Sequence, residues 1–238
     1  DGTTAVSIGS QVMHMLTVMI VGLAMGATVM IGQAVGAQNR ARANRYIGNA
    51  ITLFAGTAAV LTLTMLSLSG AVVRLMSTPA AAQAGTEAYL RICFAGLPFI
   101  IAYNVISAIF RGMGDSKSPM YFIAIACAAN IGLDYLCILV FRMGVAGAGV
   151  ATVLSQLVSG VLCLLYALKK YKILRTRRCH FWTNALFGWK HLKVGLPMAL
   201  QFSITAIGVM VVQSVLNTMG TDTVAAYTAA SKIDSIAQ

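Results

Sequence analysis

Apolar residues run down this chain in long blocks, and polar residues gather in the short gaps between them. Blocks of roughly 20 residues or more are what a helix needs to cross a bilayer core about 30 Å thick. Six complete blocks fit that length: 6–31, 47–73, 88–110, 120–141, 145–168 and 194–219. A seventh starts near Val224 and is cut short at Gln238. Alternating ten-residue segments, the mark of a membrane β-barrel, are absent. The pattern predicts an all-α integral membrane protein with six complete transmembrane helices and the start of another. Pro98 and Pro197 fall inside or near the start of blocks and can bend them.

Composition agrees with the blocks. The chain is 58% hydrophobic and 10% charged, where a soluble domain carries about a quarter charged residues. Its mean hydropathy is +0.81. The formal net charge of +11 raises the question of nucleic acid, but the placement of the charges answers it. Arg40, Arg42 and Arg45 lie in "GAQNRARANRY", and Arg111 and Lys117 in "FRGMGDSKSP". Lys169, Lys170, Lys172, Arg175, Arg177, Arg178, Lys190 and Lys193 lie in the long link 169–193. The intervening links hold only Arg74, Arg91 and Arg142, near block ends. Basic residues in alternate links follow the positive-inside rule, which puts those links on the cytoplasmic side of a cell membrane. There they meet anionic lipid headgroups rather than nucleic acid. Trp182 and Trp189 suggest that the long link lies along the interface as an amphipathic segment.

The cysteines (Cys93, Cys127, Cys137, Cys163 and Cys179) have no metal-ligand spacing, and four lie within blocks. They read as small apolar fillers. The chain begins at Asp1 and stops just inside a new block, so it reads as a fragment. "DGTTAVSIGSQV" at the start can be laid on "DTVAAYTAASKI" at 222–233. An offset of six helices returns the chain to the same side, as in transporters built of two repeats about an axis along the membrane normal.

Acidic residues are few, and their positions single one out. Asp1, Asp115 and Asp222 lie in links, Glu87 at a block end and Asp234 near the end of the chain. Asp134 alone is deep within a complete block. A charged carboxylate at the bilayer centre costs at least ~2.5–3.5 kcal/mol, and such residues face a bundle interior or an aqueous cavity. Asn130 lies four positions earlier and shares a helix face with it. An amide beside a carboxylate can help ligate a small cation through oxygen. Low dielectric disfavours the charged form of any carboxylate, which suits a proton carrier. Helix-to-helix hydrogen bonding is the plainer role for such a pair. Gln33, Asn49, Asn104, Gln156, Gln201 and Gln213 are further polar residues in blocks or at their ends, and Gln33, Gln156 and Gln201 are candidates for lining a polar path. His14 reads as a packing residue, and most of the thirteen methionines as core or lipid-facing. No His/Asp/Glu or Ser/Lys cluster supports an intramembrane enzyme.

The segments "GAQNRARANRYIGNA", "FRGMGDSKSPM", "NIGLDYLCI", "GVAGAGVATVLSQ" and "VGLPMALQ", in this order and spacing, resemble the multidrug and toxic compound extrusion (MATE) transporters. The resemblance covers the whole chain. It implies a twelve-helix protein of two six-helix lobes around a V-shaped cavity, exporting cationic or amphiphilic compounds in exchange for H⁺ or Na⁺. Residues 1–168 would then be helices two to six of the N-terminal lobe, 169–193 the basic cytoplasmic linker, and 194–238 the start of the C-terminal lobe. In such transporters an Asp on the first helix works with an Asn and an Asp on the fifth and a Thr on the sixth. Asn130 and Asp134 match the fifth-helix pair and Thr152 the sixth-helix Thr, while the first-helix Asp has no counterpart in this chain. The block at 194–219 lacks the carboxylate some members carry there, offering Gln201 and Ser203 instead. The resemblance thus implies a transporter rather than an enzyme, monomeric at full length, with no cofactor beyond its coupling ion and no metal beyond Na⁺ at Asp134. A lipid-linked oligosaccharide flippase of the same superfold is the alternative. That function calls for cationic residues lining the cavity, and the blocks carry essentially none away from their ends. A seven-helix retinal protein would need natural chain ends and a Lys in its last helix, a place only Lys232 could fill.

Overall fold

The computed structural model describes residues 2–75, 80–170 and 185–218. The start of the seventh block near Val224, the repeat at 222–233, and Trp182, Cys179, Lys232 and Asp234 lie outside the described residues. The described chain is helical throughout. It runs α1 (Gly2–Gly36), α2 (Arg40–Leu75), α3 (Ala80–Ala95), α4 (Leu97–Gly112), α5 (Lys117–Asp134), a π-helical turn (Tyr135–Val140), α6 (Gly144–Lys170) and α7 (Ala185–Thr218).

Four stretches are each long and apolar enough to cross a membrane: Ile8–Gly36, Arg40–Arg74, Lys117–Val140 and Gly144–Lys170. The block at 88–110 is broken. Gln83–Ala95 and Leu97–Gly112 meet at Gly96 with a 47° bend and together make a fifth. Pro98, at the start of α4, explains the break, because it cannot donate to the preceding turn. Gly96 explains its tightness: any Cβ there would run into the Val153 side chain of α6. The count of six spans expected from the sequence is therefore not reached among the described residues. The block at 194–219 does form a continuous helix as far as Thr218, but α7 begins at Ala185, nine residues earlier than the apolar run. Of the segment read as a long link, Lys169 and Lys170 end α6, Lys190 and Lys193 belong to α7, and 171–184 lie outside the described residues.

The turns at the basic end are short and chemically fixed. Asn39 caps α2, its Oδ1 accepting the Arg42 N–H at 3.0 Å. Gly114 turns the chain between α4 and α5 with φ +84°, a left-handed conformation that glycine adopts without strain. Asp115 then accepts three hydrogen bonds: the Ser118 N–H at 3.0 Å, the Ser118 hydroxyl at 2.7 Å and the Lys170 ammonium at 2.7 Å. One carboxylate so ties the start of α5 to the end of α6.

The core lies between α1, α2, α3 and α4. Ala24 and Ala27 of α1 and Ala108 of α4 have no exposed surface, and the Thr28 hydroxyl donates to the Ala108 carbonyl at 3.1 Å. Small residues let backbones approach where lipid offers no hydrophobic drive. Larger fillers, Leu90, Phe94, Leu97 and Ile101 of α3 and α4 with Ile31 and Ile47, complete it. The α5–α6 pair attaches through two further polar ties. The Tyr103 hydroxyl donates to the Pro119 carbonyl at 3.0 Å, and the Ser159 hydroxyl to the Phe122 carbonyl at 3.0 Å. Much of α5 and the π-helical turn is left bare: Tyr121, Ile131, Tyr135 and Leu139 are exposed, a surface suited to lipid rather than water. Cys93, Cys137 and Cys163 are buried free thiols and Cys127 is exposed.

Candidate functional site

Asp134 is the last α-helical residue of α5, and the π-helical turn begins at the next position. Such π-turns are rare and concentrate at functional sites. Asn130 sits one turn back on the same helix, and both residues are half-buried. No hydrogen bond joins them. One carboxylate oxygen of Asp134, Oδ1, is sequestered with no hydrogen-bond partner. Native structures rarely leave a buried acceptor unmet without a functional reason. Counting along Lys117–Val140, Asp134 lies roughly 9 Å of helix rise from the end. It is therefore not at the midpoint of its span but in the part nearer the end opposite the basic links.

The partner surface comes from α6 and α3. Thr152 is half-buried about two turns inside α6 and donates its hydroxyl to the Ala148 carbonyl at 2.9 Å. Its oxygen keeps a lone pair free for a further contact. Tyr89 of α3 lies between the two sides: its hydroxyl interacts with the Thr152 hydroxyl and the Cys93 thiol, and with the Asp134 carboxylate only through longer-range electrostatics. The Tyr89 ring is 4% exposed and is held between two glycines. A Cβ on Gly9 of α1 would collide with it, and one on Gly149 of α6 would touch it at 3.4 Å. α1 and α6 thus fix the ring of this α3 residue. Sequence reading missed Tyr89 and Cys93. A tyrosine near a span end is ordinary at a membrane interface, and only the two glycines that make room for its ring set it apart.

The other polar candidates are dispersed. Gln156 is half-buried on α6, one turn beyond Thr152, whereas Gln33 and Gln201 are both exposed. α1 and α7 run antiparallel, with Gly22 against Ala199 and Gly26 against Gly195. That register separates Gln33 from Gln201 by about 20 Å along the axis. They do not stand side by side, and neither belongs to the Asp134 cluster. Asn104 is buried and satisfied, its amide donating to the Ile100 carbonyl at 2.8 Å. His14 is exposed, and the side chain of Gln213 lies outside those described. Among the described residues no three His, Cys, Asp or Glu side chains gather as a metal site. The Asp134 cluster is a single carboxylate among neutral oxygens, which can take up a proton or coordinate a small hard cation.

Comparison with known proteins places the chain as a whole. The MatE family model matches residues 1–136. The probable multidrug resistance protein YpnP of Bacillus subtilis is 33% identical over 233 residues, covering 98% of this chain and 52% of YpnP. Among solved structures, an inward-facing multidrug resistance MATE family transporter of the MOP superfamily superposes with a TM-score of 0.83 at 26% identity, over 99% of this chain and 54% of that one. An outward-facing one gives 0.85 at 28% identity, over 98% and 52%. The chain spans about half the length of the curated relatives it matches most fully. Helices long enough to cross a membrane, a lone acid at a helix irregularity, the family match and the shared fold agree: this chain belongs to the MatE family of multidrug transporters.

Proposed function

We propose that this chain forms most of the N-terminal lobe, the linker and the first C-terminal-lobe helix of a secondary antiporter. The antiporter exports cationic or amphiphilic compounds in exchange for H⁺ or Na⁺. Residues 1–168 belong to the first lobe, 169–193 to the cytoplasmic linker and 194–238 to the second lobe. The observation that carries the reading is the sequestered, unpartnered Oδ1 of Asp134, set where α5 becomes π-helical. Asp134 is the ion-coupling carboxylate, Asn130 its neighbour one turn away, and Thr152 and Tyr89 the neutral oxygens on the facing helices. A bound proton or Na⁺ removes or offsets the charge and favours one arrangement of the helices around it. The exported compound favours the other. Coupling is that difference in affinity. A cationic cargo also accords with the described spans, whose arginines and lysines lie at or near helix ends.

The test is Asp134→Asn in the full-length protein, reconstituted in vesicles. Efflux driven by an ion gradient is expected to fall at least about tenfold, the scale set by losing a charge-assisted contact, while the melting temperature holds. Undiminished efflux that still follows the gradient would overturn the assignment. Running the parent with a Na⁺ gradient at clamped pH, and then with a pH gradient without Na⁺, decides between the two ions.

A further inference from the structure

Two cavities occupy the groove between α2 and the bent α3–α4 pair, and the Asp134 cluster uses neither. The outer one, about 640 Å³, lies toward the end away from the basic links. Ser69, Gly70 and Arg74 of α2 and Glu87 and Arg91 of α3 line it. The inner one, about 490 Å³, is apolar. It lies between Ala55 and Ala59 of α2 and Pro98 and Ala102 of α4, with Leu164 of α6 also on its wall. The two share their walls. On α2, Ala55, Ala59, Leu66 and Gly70 fall within about 60° of one another around the helix. On the other wall Glu87, Arg91 and Ala95 follow at single turns up to the bend, and Pro98 and Ala102 beyond it. Tyr89 and Cys93, which face the Asp134 cluster, lie on the opposite side of α3 from Glu87 and Arg91.

The outer cavity is a built polar site. Ser69 is 2% exposed. Its hydroxyl donates to the Leu66 carbonyl at 3.1 Å and accepts the Arg91 Nε–H at 3.3 Å. Arg91 Nη2 also pairs with Glu87 Oε1 at 2.8 Å. The guanidinium is held from two sides, yet the Arg91 and Glu87 side chains stay 62% and 36% exposed. N–H groups of the one and an oxygen of the other are left for a ligand. Among the described residues Arg74 makes no ion pair. Two guanidiniums and one carboxylate suit a ligand that carries a phosphate and an ammonium together. A simple anion would leave Glu87 unanswered. Depth supplies the rest. Arg74 ends the apolar run of α2 and Arg91 stands just inside the block at 88–110, the height at which long basic side chains reach lipid headgroups. From Gly70 to Ala59 is about 16 Å of helix rise. That is half of a hydrocarbon core ~30 Å thick, the share of one acyl chain. Leu63, between the two cavities, is 68% exposed, so that side of α2 is open to lipid.

We propose that this groove binds one phospholipid with an amine-bearing headgroup, in the leaflet away from the basic links. Its phosphate lies between Arg74 and Arg91, its ammonium donates to Glu87, and one acyl chain fills the cavity between Ala55, Ala59 and Ala102. Ser69 is a positioning residue, holding Arg91 across the groove.

The test adds synthetic dioleoyl lipids to the full-length protein in detergent and reads their retention by native mass spectrometry. One phosphatidylethanolamine is expected to be held about fivefold more tightly than phosphatidylcholine or phosphatidylglycerol, the low end for a charge-assisted contact open to water. Arg74→Gln should weaken all three lipids, and Glu87→Gln should remove the preference for ethanolamine. Ala59→Phe, which fills the inner cavity from an exposed position, should weaken all three about equally and keep their order. Ala102→Phe makes the same test from the other wall should Ala59→Phe not fold. Melting temperature gives a second reading, because a ligand of the native state raises it. Phosphatidylethanolamine should raise it in the parent, and less in Arg74→Gln. Retention indifferent to headgroup and to both charge variants overturns the site. Displacement by chain-free glycerophosphoethanolamine at equal concentration marks a soluble phosphate ligand and overturns the lipid. Retention unmoved by both phenylalanine variants takes the acyl chain out of the groove and does the same. None of these readouts involves export, so the lipid site and the antiporter stand or fall separately.

Discussion

Tyr89 and Asp134 illustrate two ways in which a side chain gains a role. Asp134 stands out because its charge has no business in oil, so its chemistry is visible in the string of residues. Tyr89 is distinguished by position alone: Gly9 and Gly149 leave space for its ring, and its hydroxyl interacts with Thr152 and, at longer range, with the acid. The two functions of that tyrosine can be separated. Tyr89→Phe keeps the ring and its packing and should leave the melting temperature near the parent's, while the apparent affinity for the coupling ion falls by about tenfold. Tyr89→Ala leaves a cavity and should cost about 3–5 kcal/mol of stability. The ion dependence of efflux and a thermal melt in detergent measure the pair. Equal ion affinity in Tyr89→Phe and parent would remove Tyr89 from the site. Asn130 was legible as a polar neighbour four positions from Asp134 on the same helix face, and Thr152 only through the resemblance carried by "GVAGAGVATVLSQ". Gln33 and Gln201 were legible too, but composition does not say that the antiparallel register of α1 and α7 holds them apart.

Helices were legible as lengths of apolar residues, and their irregularities only in part. The bend at Gly96 follows from Pro98 and from the close approach of Val153. Adding a methyl there should show it: Gly96→Ala should destabilise by about 1–3 kcal/mol through overpacking. The double variant Gly96→Ala/Val153→Ala should recover part of the loss, the non-additivity expected of touching residues. Thermal melts of the parent, both single variants and the double variant read the coupling, and strict additivity would mean that the bend does not depend on this contact. The π-turn at Tyr135–Val140 left no mark in the sequence, because "YLCILV" suits an α-helix or a π-turn equally. It is set by tertiary packing: a Cβ on Gly147 of α6 would lie 3.1 Å from the Cys137 carbonyl oxygen, so the two backbones nearly touch. The early start of α7 was hidden for the opposite reason. Lys190, His191 and Lys193 look like a link, yet the helix puts His191 inward and leaves Trp189 67% exposed.

As a whole the molecule is polarised along its length. Arg40, Arg42 and Arg45, the Asp115–Lys170 tie and the beginning of α7 lie toward one end. Arg91, its Glu87 partner at 2.8 Å and the Asp134 cluster lie toward the other. If the basic links face the cytoplasm, as the positive-inside rule predicts, a membrane-impermeant thiol reagent added to intact cells should label Arg91→Cys and spare Arg42→Cys, in a cysteine-free full-length background. Inside-out vesicles should reverse the result, and labelling from the same face in both cases would invert or break the topology. The close approach of α7 to α1 has a mechanical meaning in this frame. Where Gly22 meets Ala199 and Gly26 meets Gly195, backbone faces backbone, so an added methyl has no flexible side chain to push aside and must displace a whole helix.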